Sequence, residues 1–499
     1  MPAAAAIAVL VLGPLLAGAA ALVAPRAGRW LGLGTAGASL WAAVALARHV
    51  LASGVIRHRV AGWGAPLGIE LRADGLAAFM LLVVALVGTA VTVYAQHYFR
   101  PSACREKHHA PSAERWFWPL WLSAWTALNA LFLGADVFNL YVTLELLGFA
   151  AAALVALAGG RAALAAALRY FLVGLAGSLL YLMGVALAYA STGTVDLSLL
   201  AQRFEAGPAS LAALALMTVG LLAKGALLPL HFWLPPAHAD APTPVSAALS
   251  ALVVKASFVI LARLWLEAFA PVASPAAAQA LGALGAAAVL WGGAQALRQA
   301  RLKMVVAYST VAQIGYLYLL FPLALQRPDN RGAWTGAMLF VAAHALAKTA
   351  MFFAAGNVLH GAGHDRLRDL DGLTHALPLS IAAFGLAGAS LVGLPPSGGF
   401  VAKWLLLGAG LTQGQWWWVL LLAAGTLVGA TYIMRVLTHA FTRFEEDPVP
   451  CPVSLLGEGT ALGLALAAVL LGLGAGWPAE LLQVGAPVAG PLLPGGIAP

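Results

Sequence analysis

Apolar runs of about 20 residues, the length at which a helix crosses the hydrocarbon core of a bilayer, recur along the whole chain with short loops between them. They fall at about 4 to 24, 31 to 52, 75 to 96, 117 to 134, 136 to 158, 165 to 190, 208 to 230, 242 to 265, 277 to 297, 303 to 323, 333 to 358, 378 to 411, 416 to 440 and 454 to 475, which predicts about fourteen transmembrane helices. A chain of 499 residues that is 62% hydrophobic and 9% charged is not an ordinary soluble domain. No loop is predicted to exceed about 25 residues, too few for a soluble catalytic domain. The chain therefore reads as a single membrane domain, 1–499, of all-α class, multi-pass and embedded in the lipid bilayer. Whatever it does is done inside the membrane.

Charge places the loops. The first run has no positive charge ahead of it, and Arg26 and Arg29 follow it, so it is expected to be a retained helix and not a signal peptide. One set of alternate loops holds Arg26, Arg29, Arg100, Arg105, Lys107, Arg115, Arg161, Arg169, Arg298, Arg301, Lys303, Arg366, Arg368 and Arg443. The other holds Arg57, Arg59, Arg72, Arg203, Arg327 and Arg331. The positive-inside rule puts the first set in the cytoplasm and both termini on the extracytoplasmic side. Basic loops facing anionic lipid account for the net charge of +8, so no nucleic-acid partner is implied. Cys104 and Cys451, the only cysteines, both fall in loops expected in the cytoplasm, where no disulfide is expected. Two thiols are too few for an iron–sulfur cluster, no cofactor is expected, and any redox chemistry belongs to a partner.

Several short patterns carry less than they suggest. GLGTAG, Gly32 to Gly37, fits a dinucleotide fingerprint, but no strand precedes it and no acidic residue follows about twenty positions later, so its small residues are expected to pack helix two. The histidine pairs His108/His109 and His360/His364, the latter beside Asp365, are read as solvated loop groups, with no metal site expected.

What remains is ionisable side chains near the centres of apolar segments: Glu145, Lys224, Lys255, His344 with Lys348, and Lys403. Each charge at mid-depth costs about 2.5–3.5 kcal/mol on an insertion scale. Snorkelling suits Arg48, Arg263 and Arg435, nearer the ends of their segments, and suits the central lysines poorly. Static ion pairing could serve any single residue but weakens for the set, because one mid-membrane carboxylate cannot pair with four lysines. The functional reading is a chain of groups whose protonation changes. Burial favours the neutral amine and a nearby carboxylate favours the ammonium, so a lysine whose surroundings vary can load and release a proton. His344 and Lys348, four apart, share one helix face.

Helix breaks stand beside two of these lysines. PLHFWLPPAHADAPTP after Lys224 contains Pro229, Pro235 and Pro236 with His231 and His238, and LVGLPPSGGF before Lys403 contains Pro395 and Pro396. Unwound backbone at membrane depth is tolerated only where protein or a wet cavity satisfies it. The interrupted spans, seventh and twelfth, are five apart. Repeats with an odd number of spans are inverted relative to each other, so two five-helix units are expected, 117–265 and 277–440, with helices one to three (1–110) peripheral and a last helix at 454–475.

At these residues the chain resembles the antiporter-like subunits shared by respiratory complex I, membrane-bound hydrogenases and Mrp-type cation/proton antiporters. The resemblance runs from Lys224 through HFWLPPAHADAPTPVSAALSALVVK and includes ADGLAAFM, AYSTVAQIGY and LPPSGGFVAK. It implies about fourteen helices with two inverted five-helix repeats containing discontinuous helices, in a bacterial inner membrane. It implies a coupling pair in Glu145 and Lys224, relays in Lys255 and Lys348 supported by His344, His231 and His238, a gate in Lys403, and a water path lined by Thr243 and Ser246. The long C-terminal arm of L-type subunits is not expected. Lys403, where M-type subunits have glutamate, is similar to N-type and Mrp D-type subunits, and the run KASFVILARLW favours the D-type.

Three functions follow from this reading. The first is a proton-translocating subunit coupled to redox chemistry in partner subunits of a complex I-like or hydrogenase-like assembly, beside homologous antiporter-like subunits. The second is the D-type subunit of an Mrp-type Na⁺/H⁺ antiporter. The third is a scaffold that transports nothing. Sodium wants several oxygens, and the mid-membrane set is mostly nitrogen cations, so protons are the expected cargo and any sodium is assigned to a partner.

Overall fold

The computed structural model describes residues 1–99, 113–326, 330–442 and 451–488. The basic residues Arg100, Arg105, Lys107, Arg327 and Arg443, the pair His108/His109 and Cys104 lie outside them. The chain opens with α1 (Ala3–Val23) and α2 (Gly28–Ser53), then a hairpin of β1 (Ile56–Arg59) against β2 (Glu70–Ala73), antiparallel with Arg57 opposite Arg72. Next come α3 (Gly75–Tyr98), α4 (Ala113–Leu133), α5 (Val137–Ala156), α6 (Gly160–Thr192), a short α7 (Leu197–Arg203) and α8 (Pro208–Lys224). The middle of the chain is α9 (Leu234–Asp240), α10 (Thr243–Ala248), α11 (Val254–Arg263), α12 (Pro275–Arg298), α13 (Leu302–Leu317), α14 (Leu320–Leu325) and α15 (Arg331–Ala362). It ends with α16 (Leu373–Ala376), α17 (Pro378–Val392), α18 (Gly398–Thr412), α19 (Trp416–Phe441), α20 (Leu455–Leu473) and α21 (Gly476–Leu481).

Among the described residues, eleven helices are long and apolar enough to cross a membrane, and three apolar helices, α8, α17 and α18, are shorter. The short ones lie in the two runs whose prolines predicted a break. Helix starts are set by side-chain caps that fill the first open N–H groups: Asp74 for α3, Asp136 for α5, Asn330 for α15 and Ser397 for α18.

In lipid there is no hydrophobic drive between helices, so close packing depends on small residues and buried hydrogen bonds. Gly177 of α6 faces Gly220 of α8 so closely that a Cβ on either would lie 2.7 and 2.3 Å from the other's carbonyl oxygen. That contact fixes the end of α8, where Lys224 stands. Gly32 likewise packs against Trp118, while Gly34 and Gly37 of the same GLGTAG run face open space.

Two spans form the centre, Thr243–Ala268 and α15, whose most apolar stretches are fully buried, whereas α1, α6 and α20 are about one-third buried. The Thr243–Ala268 span is not uniform, because π-helical turns at Leu249–Val253 and Leu264–Ala268 flank α11. Helix α3 departs from expectation. It is 78% buried over its most apolar stretch, and Tyr94 stacks on Phe353 of α15 at 3.9 Å and donates to Asn357, so α3 belongs to the packed interior and not to the periphery. Its bulky apolar residues occur on every face, which is the pattern of a surrounded helix.

Cys451 is disulfide-bonded, against the expectation drawn from compartment alone. Its backbone N–H donates to Gly361 at the end of α15.

Candidate functional site

Lys224 is the last residue of α8, at the point where the helix stops and its final carbonyls lose their partners. The following residue but one, Ala226, takes a left-handed conformation (φ 53°), uncommon for a residue with a side chain. Trp233 turns back and donates to the Ala223 carbonyl at 2.9 Å, which satisfies one of the groups freed by the break. Pro229 sits in the break itself. Pro235 and Pro236 open α9, at first-turn positions where a missing N–H costs nothing, so they begin the second half-helix and do not interrupt it.

The Lys224 ammonium meets Glu145 of α5 at 2.8 Å, with the two side chains 7% and 15% exposed. Ser178 of α6 also donates to the Glu145 carboxylate. A cavity of about 20 Å³ beside the pair, room for one water, is lined in part by Tyr170, Val253 and Ser257. No hydrogen bond among the described residues joins Lys224 to Lys255. Lys224 and Glu145 line the cavity together with Val253 and Ser257 of the Lys255 span, and Lys255 itself does not.

Lys255 is fully buried and donates to the Ser250 carbonyl, five residues back, inside the first π-turn. Ser250 Oγ and Thr310 Oγ1 are 2.9 Å apart, and Thr310 donates to the Val306 carbonyl at 3.0 Å. Lys348 of α15 donates to the same Val306 carbonyl at 3.1 Å and to Ser309. Lys255 and Lys348 are thus joined through Ser250 of the π-turn and Thr310 and Val306 of α13. His344 and His238 are buried among them, and the ring nitrogens of both make no hydrogen bond among the described residues. The charges of Lys255 and Lys348 act on both rings, so these four groups form one cluster. Ser246 donates to the His238 carbonyl at 2.6 Å and holds that residue in place. His231 stands apart in the break, half-buried, and hydrogen-bonds to none of these side chains among the described residues.

At the second break α17 ends at Val392, Pro395 and Pro396 fill the gap, and α18 begins at Gly398. Lys403 reaches back to the last carbonyls of α17, Leu391 at 2.9 Å and Val392 at 3.2 Å, and donates to Thr426 of α19 at 3.2 Å. It also lies 4.6 Å from the centre of the Tyr316 ring. A cation is well placed at a helix C-terminus, where the dipole is negative. Between Lys348 and Lys403, Ser309, Gln313 and Tyr316 follow one another on a face of α13, and Gln313 donates to Tyr432 of α19 at 3.1 Å.

Ser178, Ser250, Ser309, Thr310, Gln313, Thr426 and Tyr432 were not singled out from the sequence. Polar residues recurring every three or four positions in AYSTVAQIGY were the available signal, since a lipid-facing helix has no use for them. Three expectations about charge change. Arg263 does not snorkel: it is 3% exposed and grips Asp74 through two bonds of 2.8 Å, with Glu267 at 3.2 Å and Arg72 completing the cluster. Burial opposes ionisation of Asp74, but Arg263 and Arg72 outweigh it and hold the carboxyl below its ordinary range. Arg435 donates to the end of α12, at Leu297 and Gln299, in place of reaching for the surface. Glu458, in the first turn of α20, is a second buried carboxylate in the apolar segments, accepting from the Ser380 N–H at 2.9 Å and hydroxyl at 3.0 Å.

Residues 134–429, which contain both breaks and every lysine of this axis, match the family described as NADH:quinone oxidoreductase/Mrp antiporter, TM. The chain belongs to that family. It is 38% identical over 453 residues to the N-type subunit of the NADH-quinone oxidoreductase of Desulforudis audaxviator, covering 86% of this chain and 87% of that one. It is 30% identical over 441 residues to the D-type subunit of the Na(+)/H(+) antiporter of Bacillus subtilis, covering 87% and 86%. Its fold is similar to a chain of the Mrp complex from Dietzia, with a TM-score of 0.85, 25% identity and coverage of 97% and 98%. This NADH:quinone oxidoreductase/Mrp antiporter chain is thus more alike in sequence to the N-type relative than to the D-type one, although the run KASFVILARLW favoured the latter.

Proposed function

We propose that this chain is a proton-translocating subunit of a multisubunit membrane complex, driven by redox chemistry in partner subunits and placed beside homologous antiporter-like subunits. The observation that carries this reading is the buried polar axis from Glu145–Lys224, through Lys255, His344 and Lys348, to Lys403, running across the most buried spans. The higher likeness to the N-type relative favours redox coupling over the Mrp-type alternative.

In this reading Glu145 holds Lys224 charged. A change of charge nearby that lengthens the 2.8 Å contact frees the lysine's proton for the central cluster. Moving one charge through 100 mV requires about 2.3 kcal/mol, less than two pKa units at about 1.36 kcal/mol each, so modest rearrangement suffices. Lys255 and Lys348 relay, Thr243 and Ser246 line the path, and Lys403 is the gate to one bulk phase. The two units 117–265 and 277–440 are read as inverted repeats, with both termini extracytoplasmic in a bacterial inner membrane. Any sodium movement belongs to a partner.

The test is proton movement by the intact complex in membrane vesicles. Lys224→Ala and Glu145→Ala are each expected to lower it at least about 100-fold while the complex assembles, since removing one partner of a buried pair at about 3–5 kcal/mol corresponds to roughly 150- to 5,000-fold. A scaffold would lose nothing, so native proton movement in either variant ends this reading.

A further inference from the structure

One basic patch has no part in the axis above. Where α1 passes into α2, Pro25–Ala27 form one 3₁₀ turn, and Arg26, Arg29 and Trp30 stand exposed on it and just after it. Arg115 and Trp116, in the first turn of α4, are exposed as well. The two groups are neighbours, because Gly28 lies so close to α4 that a Cβ on it would be 2.9 Å from the Trp118 Cβ, and Arg115 is about one turn before Trp118. The Gln96 amide of α3 donates to the Arg29 carbonyl at 2.9 Å and holds the start of α2 there.

Other basic groups on this face of the molecule are already engaged. Arg301 pairs with Asp240 and Asp365, and Lys303, counted from the sequence among loop charges, is 1% exposed and donates to the Ala241 carbonyl at 2.7 Å. Among the described residues Arg26, Arg29 and Arg115 form no ion pair, α2 has no acid in its first turn, and the one carboxylate beside them in sequence is the half-buried Glu114. Each tryptophan rests against its own arginine: the Arg29 guanidinium carbon lies 5.3 Å from the centre of the Trp30 ring, and that of Arg115 lies 5.6 Å from the centre of Trp116. These contacts restrain the guanidinium groups and leave their N–H donors open. Toward the bilayer centre α1 then exposes Leu22, Leu16, Leu15 and Leu12, in a helix without one polar side chain.

We propose that this patch binds one anionic phospholipid: Arg29 and Arg115 take the phosphate, Arg26 stands at its outer edge, and the acyl chains lie along α1. Guanidinium forks match phosphate oxygens, tryptophan favours the boundary between headgroups and hydrocarbon, and the leucines below match the tails. The inference does not depend on the proton reading. Two other accounts compete with it. A diffuse attraction between basic loops and anionic lipid treats all exposed arginines of this face alike and fades as salt rises, because the screening length falls to about 3 Å at about 1 M. Arg161, exposed in the first turn of α6, is the control for that account. A protein partner on the same face would instead keep lipid away from it.

Val23, 88% exposed at the end of α1, is the reporter position. The intact complex with Val23→Cys, labelled with bimane, is reconstituted into phosphatidylcholine vesicles carrying a small fraction of phosphatidylglycerol brominated on its acyl chains, or the same fraction of brominated phosphatidylcholine. Quenching by the brominated phosphatidylglycerol is expected at an apparent affinity at least about fivefold higher, the factor one arginine contributes at a membrane surface, and is expected to persist at about 1 M salt. Arg29→Gln combined with Arg115→Gln removes the preference, and Arg161→Gln leaves it unchanged. Equal quenching by the two lipids overturns the proposal. So does a preference that high salt abolishes, that survives the double substitution, or that Arg161→Gln lowers as much, since each of these assigns the effect to diffuse attraction. Absence of quenching by either lipid gives the face to a protein partner and also overturns it. If the double variant fails to assemble, Arg29→Lys and Arg115→Lys decide, because they keep the charge and lose the fork: a lowered preference supports the site, and an unchanged one overturns it.

Discussion

The two broken helices hold their lysines by different means. Lys224 faces a carboxylate at 2.8 Å that a serine also supports, whereas among the described residues Lys403 faces neutral groups: two carbonyls at the end of α17, the Thr426 hydroxyl and the Tyr316 and Phe340 rings. An ion pair responds steeply to separation and vanishes when the acid is protonated. Fixed dipoles and a ring do neither. The first lysine is therefore suited to answer a change of charge in its surroundings, and the second, with no acid beside it to hold the ammonium, to give its proton up. A single chain can then carry a responsive end and a releasing end, with hydroxyl-linked lysines between them.

Three substitutions sharpen that contrast. Ser178→Ala removes a donor to the Glu145 carboxylate, worth about 1.5–3 kcal/mol for a hydrogen bond to a charged group, so proton movement is expected to fall roughly tenfold or more with normal assembly. Unchanged flux would show that Lys224 alone sets the state of the pair. Thr426→Asp converts the second site into a copy of the first. If neutral surroundings are what let Lys403 release, turnover is expected to slow about tenfold, equivalent to about 1.36 kcal/mol of added hold, and single-turnover proton release would read it; faster turnover would invert the comparison. The smallest effect belongs to Tyr316→Leu, which keeps apolar volume and deletes the ring under Lys403. A cation–π contact of about 0.5–2 kcal/mol predicts a several-fold change in turnover, checked beside a melting curve of the complex to separate packing from charge.

A third charged region shows why burial alone does not mark a working group. Asp74, Arg72, Arg263 and Glu267 are bound to one another at 2.6–3.2 Å with every acid facing an arginine. This closed network ties the start of α3 to the end of α11. The lysines of the axis differ in lacking a full set of acids, and that deficit leaves them sensitive to protonation.

Much of this was legible in the chain. Run lengths gave the helices, because a bilayer imposes one length on every span, and proline clusters gave both breaks, because proline removes a backbone donor. Mid-span charges singled out Glu145, Lys224, Lys255, His344, Lys348 and Lys403 as groups that cannot face lipid, because lipid makes a charge costly, and each lies inside the packed helices; their part in transport is the proposal above. The Glu145–Lys224 pairing was implied by the family resemblance; the other partners were not legible. That Ser178 shares the Glu145 carboxylate, that Ser250, Thr310 and Val306 bridge Lys255 to Lys348, and that Lys303 and Arg263 lie buried, depended on which helices touch. The contact between Glu145 and Lys224, 79 residues apart, requires α5 and α8 to meet, and Gly177 and Gly220 let α8 close on α6 beside it. A one-dimensional pattern records which side chains cannot face lipid; only the packed helices decide what each of them faces instead.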